Sequence, residues 1–448
     1  MSERLTLELL KQDKEHVVHP MATVGAEPTV VIDEGYGIYV KDTDGKEYID
    51  GAAQLTCTNL GYGKGEITEA VAEQMNRLAY TTSFGGNCSR ANIECSNKLA
   101  ELTPKGLKHF FYTLSGSDSV DTAFRIARTY WKNSGKSNKY KIISLYNSYH
   151  GVNFGAVSAT THMRGIHSSN VYPLVSGFIH VPSYYCYRCA LGLDYPDCGI
   201  QCAKLLEYTI ENEGQDSIAA FIAEPVHGTA GCIVPPPEWW PMVRKICSEH
   251  DVLLIADEVM TGFGRTGKMF ATEHWKVIPD VIAMAKGLTS AYLPFGAVAI
   301  SDAIFEGLQG VSLFGFTYSG HPVCSVAATK VMEIYVRDKI VENSAKVGKY
   351  ALNRLQSEFL SQPCVGEVSG LGLMLAVEMV ADKATRASFP QEQGVPMKIG
   401  REARQKGLLV RVGNRIAFTP PLIITKEEVD KALDILLPIV AAVKPGSV

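Results

Sequence analysis

Three short apolar runs, residues 218–223, 252–256 and 281–285, organise the chain. None contains a charged residue, and each stops on ionisable side chains: Glu224, the pair Asp257 and Glu258, and Lys286. A run that is apolar on both faces and lacks strict alternation suits a strand buried in a parallel sheet. In open α/β sheets, ligands sit outside the carboxyl ends of the strands. The pattern therefore predicts a dry platform where carboxylates and an amine meet one ligand.

The flanking pattern completes an α/β architecture. Residues 1 to about 30 read as an irregular or helical arm. Alternation over 30–40, followed by Asp44-Gly45, predicts a β-hairpin, which 48–51 extends. Residues 66–78 fit an amphipathic helix. From about 80 to 320, strands and helices alternate. Strands are expected at 108–114, 141–146 and 175–181, with helices at 120–131 and 235–250. Residues 295–300 form a strand that reverses direction, and a long helix begins near Thr317 and Pro322 and runs to about 336. A second α+β region follows, with helices at 346–359, 398–406 and 426–443. Its strands fall at 365–380, 408–411 and 415–418. These expectations divide the chain into 1–60, the N-terminal part of a small domain; 61–325, a large ligand-binding domain; and 326–448, the rest of the small domain.

Composition narrows the function. A chain of 448 residues holds two or three lobes. A formal net charge of −4 argues against a nucleic-acid partner. The charged N-terminus lacks an apolar signal core, and the late apolar stretch 435–443 is too short to span a bilayer and contains Pro438. A cytoplasmic protein with no membrane partner is expected. Of eleven cysteines, Cys186, Cys189, Cys198 and Cys202 have a spacing that could hold zinc. The reading adopted is a reduced, cysteine-rich surface loop with no metal, the other cysteines being buried thiols.

The chemistry follows from what Lys286 and Asp257 do if they face one ligand. A desolvated lysine loses proton affinity, and a neutral amine attacks an aldehyde. Pyridoxal 5′-phosphate needs such an amine, an anion beside its ring nitrogen, a phosphate cradle and a cover for the ring faces. The turn from Ser115 to Ser119, between a strand and a helix, offers backbone N–H groups and hydroxyls to a phosphate; it reads equally as a plain N-cap. Tyr149 and Val259 are the candidates for the two ring faces. Taken singly, Asp257 could be a helix cap and Lys286 a surface residue; their conjunction points to the cofactor.

At these residues the chain resembles a known family. Asp257-Glu-Val-Met-Thr-Gly-Phe-Gly-Arg265-Thr-Gly, then Asp280-Val-Ile-Ala-Met-Ala-Lys286-Gly-Leu, resembles the signature of class III (ω-)aminotransferases of PLP fold type I. Ser115-Gly-Ser-Asp-Ser-Val-Asp-Thr-Ala, Tyr149-His-Gly, Ala223-Glu-Pro-Val and Thr317-Tyr-Ser-Gly-His-Pro also match. The resemblance spans almost the whole chain and implies a large, mostly parallel seven-stranded sheet domain with a smaller α+β domain formed by both termini. It implies that Lys286 bonds the cofactor and shuttles a proton, that Asp257 pairs with the pyridine nitrogen, and that Ser115, Gly116 and Ser117 hold the phosphate, with Thr317 from a neighbouring subunit. Tyr149 and Val259 would sandwich the ring, with His150 and Glu224 also at the cofactor. A homodimer, possibly a tetramer, is implied.

Substrate contacts are assigned to Thr56, Arg411 and Phe84. Arg411 matches a mobile arginine that binds an acceptor carboxylate, with Arg415 a nearby rival. Asp118 stands where the family usually has Glu, and Ser119-Val120 where Ala-Asn is usual. Leu55-Thr56-Cys57 replaces the Leu-Trp-Cys of many ω-aminotransferases, which favours a small polar or anionic amine. The expected reaction moves an amino group from a taurine- or β-alanine-type ω-amino acid or amine to a keto acid such as pyruvate. It would run by ping-pong double displacement through pyridoxamine phosphate. An aminomutase, epimerase or phospho-lyase of the same fold is the alternative.

Overall fold

The computed structural model describes residues 2–163 and 171–445. The ends of the expected outer domains, Met1 and 446–448, lie outside the described residues. In chain order the strands are β1 (Ile32–Tyr36), β2 (Tyr39–Asp42), β3 (Glu47–Asp50), β4 (Leu107–Thr113), β5 (Lys141–Leu145), β6 (Phe178–Val181), β7 (Ile218–Ala223) and β8 (Leu253–Asp257). Then come β9 (Val281–Met284), β10 (Gly296–Ser301), β11 (Val365–Leu371), β12 (Met374–Met379), β13 (Leu408–Leu409), β14 (Arg411–Val412) and β15 (Arg415–Phe418).

Seven strands form one sheet in the order β4-β10-β9-β8-β7-β5-β6. β10 runs antiparallel to both neighbours, and the remaining pairs are parallel. The apolar runs are explained by burial on both sides of this sheet. Ala220, Ile222, Ile255, Val281 and Ala283 join a cluster with Val120, Ala123 and Phe124 of the helix Gly116–Asn133. The alternate residues Phe221, Leu254, Ala256, Ile282 and Met284 pack on the opposite face with Trp239, Trp240 and Val243 of the helix Trp239–Glu249. Period-two geometry sends neighbours to opposite faces, so both sets must be apolar.

Two four-stranded sheets lie outside it, β1-β2-β3-β13 and β11-β12-β15-β14. The first joins the two ends of the chain, since β13 pairs in parallel with β3, Leu408 beside Ile49. The alternation over 30–40 is not one strand: the chain turns at Gly37 (φ +52°), pairing Tyr36 with Tyr39. The N-terminal arm contains the helix Ser2–His16. Arg265, fully buried, donates to the carbonyls of Leu373 (3.1 Å) and Pro420 (2.6 Å) and to Asn59 Oδ1 (2.7 Å). It thereby ties three distant segments to the loop that follows β8. Among the described residues no helix is long and apolar enough to cross a membrane.

Candidate active site

Because β7, β8 and β9 are adjacent and parallel, their carboxyl ends lie side by side. Ala223 is paired with Ala256, and Asp257 with Ala283. Glu224, Asp257 and Lys286 therefore open onto one cavity of about 320 Å³. Ser115, Gly116, Ser117, Tyr149, His150, Val259 and Arg411 line it as well. Lys286 follows β9 in a left-handed conformation, φ +39°, and opens the short turn Lys286–Leu288. Burial, then the nearby Arg411 charge, holds its amine below the ordinary lysine range, against the opposing pull of Cys57, Asp257 and Glu224. A lowered proton affinity leaves more neutral amine, the nucleophilic form.

Asp257 is held from two sides. One oxygen lies 2.7 Å from His150 Nδ1, and the other accepts from the Val259 N–H at 3.1 Å. Burial raises its proton affinity, His150 opposes that rise, and the Glu224 charge adds to it. Glu224 has more partners. Its Oε1 accepts the Tyr149 N–H (3.0 Å) and meets His227 Nδ1 (3.1 Å), and its Oε2 accepts the Gly228 N–H (2.7 Å). Burial works to raise its pKa; the His227 bond and charge, the His150 charge and the Tyr149 N–H outweigh it and keep the carboxyl below its usual range.

At the start of the helix Gly116–Asn133, Ser115 is the N-cap: its hydroxyl accepts the Asp118 N–H (3.2 Å) and donates to Asp118 Oδ2 (2.8 Å). The cap and the anion site are thus compatible, because the N–H groups of the first helical turn lack helical partners. Ser117 Oγ accepts the Val152 N–H at 3.1 Å. Gly116 sits against Val259 so closely that a Cβ would lie 2.6 Å from Val259 Cγ1.

Some assigned residues lie elsewhere. Thr56 does not line the cavity: it is buried, with Oγ1 3.1 Å from Thr419 Oγ1. Leu55 lines the cavity instead. Ala53, Gln54 and Thr56 all have positive φ, and these left-handed residues turn the side chains away from the order that a plain extended loop would give. Phe84 and Thr317 are absent from this cavity. Both are exposed on one surface, where the Phe84 ring lies against Gly315 and the Thr317 carbonyl accepts the Tyr80 hydroxyl (2.7 Å). The two arginines also separate. Arg415 is buried in an ion cluster with Glu367 (2.6 Å) and Glu378 (3.4 Å), while Arg411 faces the cavity and, among the described residues, forms no ion pair.

The cysteines Cys186, Cys189, Cys198 and Cys202 are free thiols around a small cavity of about 20 Å³. Burial, then the neighbouring Cys202, Cys198 and Cys189, pushes the Cys186 thiol up to about 12. Among the described residues no three histidine, cysteine or carboxylate side chains stand at metal-binding spacing. Sequence reasoning missed Met21, Leu55, Met163, Thr229 and Met260 as lining residues, and His227 as the partner of Glu224. His227, three residues beyond Glu224 at the end of a core strand, carried a usable signal; Met21, in the N-terminal arm, did not.

Residues 21–440 match the model of the aminotransferase class-III family. The chain is a class III aminotransferase. This aminotransferase is similar to the putrescine–pyruvate aminotransferase of Pseudomonas aeruginosa, 37% identical over 90% of this chain and 88% of that one. It is also similar to the diaminobutyrate–2-oxoglutarate transaminase of Halomonas elongata, 36% identical over 95% and 94%. Among solved structures, a thermostable (S)-enantioselective ω-transaminase from Thermomicrobium roseum superposes with a TM-score of 0.92, at 41% identity, over 97% of each chain. An amine transaminase from an uncultivated Pseudomonas species, with pyridoxal phosphate bound, gives a TM-score of 0.91 at 36% identity over 95% and 98%. The fold of this aminotransferase is therefore PLP fold type I.

Proposed function

We propose that this aminotransferase uses pyridoxal phosphate to move the amino group of a small polar ω-amino acid or amine, of the taurine or β-alanine type, onto a keto acid such as pyruvate, by ping-pong double displacement. The observation that carries this reading is that Lys286, Asp257 and Arg411 share one cavity. The site's own features fit the cofactor: a buried carboxylate held by His150 and Val259, a helix start with no room for a Cβ at Gly116, and a lysine of lowered proton affinity. When bound, the cofactor supplies an aldehyde that receives the amino group and a ring that takes up electrons.

The chain's residues do the rest. Gly116 and Ser117, at the positive end of the helix, hold the phosphate. Asp257 supplies a fixed negative charge to the ring nitrogen. Tyr149 and Val259 cover the ring faces. Lys286 would hold the cofactor through its amine, and that amine stands where it can carry a proton to and from the substrate carbon. Arg411 pairs with the acceptor's carboxylate. Thr317 of a second copy of the chain would join the phosphate site, and Phe84 would contact the substrate.

A methyl group at Gly116 must push Val259 aside. Gly116→Ala is expected to weaken pyridoxal phosphate binding by about tenfold or more, the effect of roughly 1–3 kcal/mol of overpacking. Absorbance titration of the apoenzyme measures it. Arg411→Met is expected to raise KM for pyruvate by about 10- to 100-fold, the loss of a charge-assisted contact of about 1.5–3 kcal/mol. It should leave KM for a donor without an acid group nearly unchanged, which steady-state kinetics can read. The substrate reading itself is tested by a donor and acceptor screen with mass detection. Strong preference for 1-phenylethylamine over taurine and β-alanine would overturn it.

A further inference from the structure

We infer that His227 is a positioning residue for the amino-transfer reaction: held between Ser183 and Glu224, it keeps Glu224 in place as the carboxylate that anchors Tyr149 and faces Asp257. This inference rests on the proposed role of Tyr149 as cover for the cofactor ring. Three contacts form a chain. Ser183 Oγ lies 2.8 Å from His227 Nε2, His227 Nδ1 lies 3.1 Å from Glu224 Oε1, and that same oxygen accepts the Tyr149 N–H at 3.0 Å. An ionised carboxylate only accepts, so Nδ1 carries the proton that bonds Glu224 Oε1.

The ring has little freedom to do anything else. His227 is completely buried. Tyr184 stacks on it, with centroids 4.4 Å apart and planes 16° from parallel, and the Tyr184 hydroxyl donates to the Glu224 carbonyl at 2.8 Å. The backbone of His227 is pinned to Ile233 in both directions, each bond 3.0 Å. Imidazole orientation, carboxylate orientation and the Tyr149 backbone are therefore fixed together. Tyr184, Tyr149, His150, Cys232, Asp257 and Lys286 are the other titratable groups whose charges interact with Glu224.

The consequence reaches the reacting atoms through charge. Glu224 favours the protonated state of both Asp257 and Lys286. Without its imidazole partner, a buried carboxylate more readily takes up a proton and becomes neutral. The support that it gives to a proton on the lysine nitrogen is then lost. Ser183 extends the chain outward, because it also borders the cavity of about 620 Å³ that shares Met163, Thr229 and Arg411 with the catalytic one.

The test compares wild type with His227→Leu, His227→Asn and Ser183→Ala, all loaded with pyridoxal phosphate. The readouts are the pH midpoint of the visible band of the lysine-bound cofactor, the cofactor dissociation constant and Tm. In His227→Leu the midpoint is expected to fall to lower pH, with cofactor binding weakened by about tenfold. His227→Asn, whose amide takes the place of Nδ1, should restore most of the midpoint. Ser183→Ala, the milder change should the leucine variant fail to fold, should shift it less but in the same direction. A lowered Tm with the midpoint unmoved in both the Leu and Ala variants would reduce His227 to a structural residue and overturn the inference. A wild-type protein with no visible band would overturn the cofactor reading as well.

Discussion

Lys286→Ala is expected to lower the amino-transfer rate by about 10⁴-fold or more, the upper end of what a positioned acid–base group contributes, and to abolish the visible band of the lysine-bound cofactor. Two proposed roles of Lys286 are lost together. The alanine has no amine to bond the aldehyde, and no group to carry a proton at the substrate carbon. Asp257 and Glu224 cannot substitute, because His150 and Val259 hold the first and His227, Gly228 and Tyr149 hold the second. The proposed phosphate cradle at Gly116 and Ser117 is untouched, so the variant should still bind the cofactor. Single-turnover kinetics and absorbance spectra check both halves. Residual transfer within tenfold of wild type would assign the chemistry to another group.

Asp257→Asn is expected to cost about 10²–10³ in kcat, the usual loss when a fixed electrostatic group is removed from a dry site. The amide keeps the shape of the carboxylate and can still meet His150 and Val259, so a change in rate reports charge. Stability should move the other way. Burial raises the Asp257 pKa, so its ionisation opposes folding once pH rises above the ordinary carboxylate range. A neutral amide removes that cost, and Tm at pH 7 is expected not to fall. Paired kinetics and thermal melts separate the two effects; a large drop in Tm would mean that the carboxylate is a structural anchor.

How much was legible in the sequence differs from one residue to the next. The runs ending at Glu224, Asp257 and Lys286 declared themselves because a strand packed on both faces must be apolar throughout, leaving the polar residues to mark its end. β10 was legible as a strand for the same reason; its reversal is its antiparallel pairing with β4 and β9. Thr56 was not, because its side chain's direction depends on left-handed residues at 53, 54 and 56, and none of these is glycine. Gly37 did carry a turn signal, but the alternation on either side of it masked the break. The Ser183–His227 contact spans 44 residues and joins two segments that lie beyond the strands β6 and β7. No local pattern reveals such a pair. Thr317 was assigned through family resemblance and Phe84 as a substrate contact, and the chain alone shows only that they share a surface.

The parallel pairing of β3 with β13 has a consequence for synthesis. Leu408 meets Ile49 across about 360 residues of chain. At about 5–20 residues per second, the ribosome makes β13 on the order of 20–70 s after β3. Throughout that interval one edge of β3 has no partner. Arg411, next to β13, arrives at the same late moment. A nascent chain can therefore assemble its central sheet, and even the proposed cofactor cradle, well before it holds the arginine proposed to bind the acceptor.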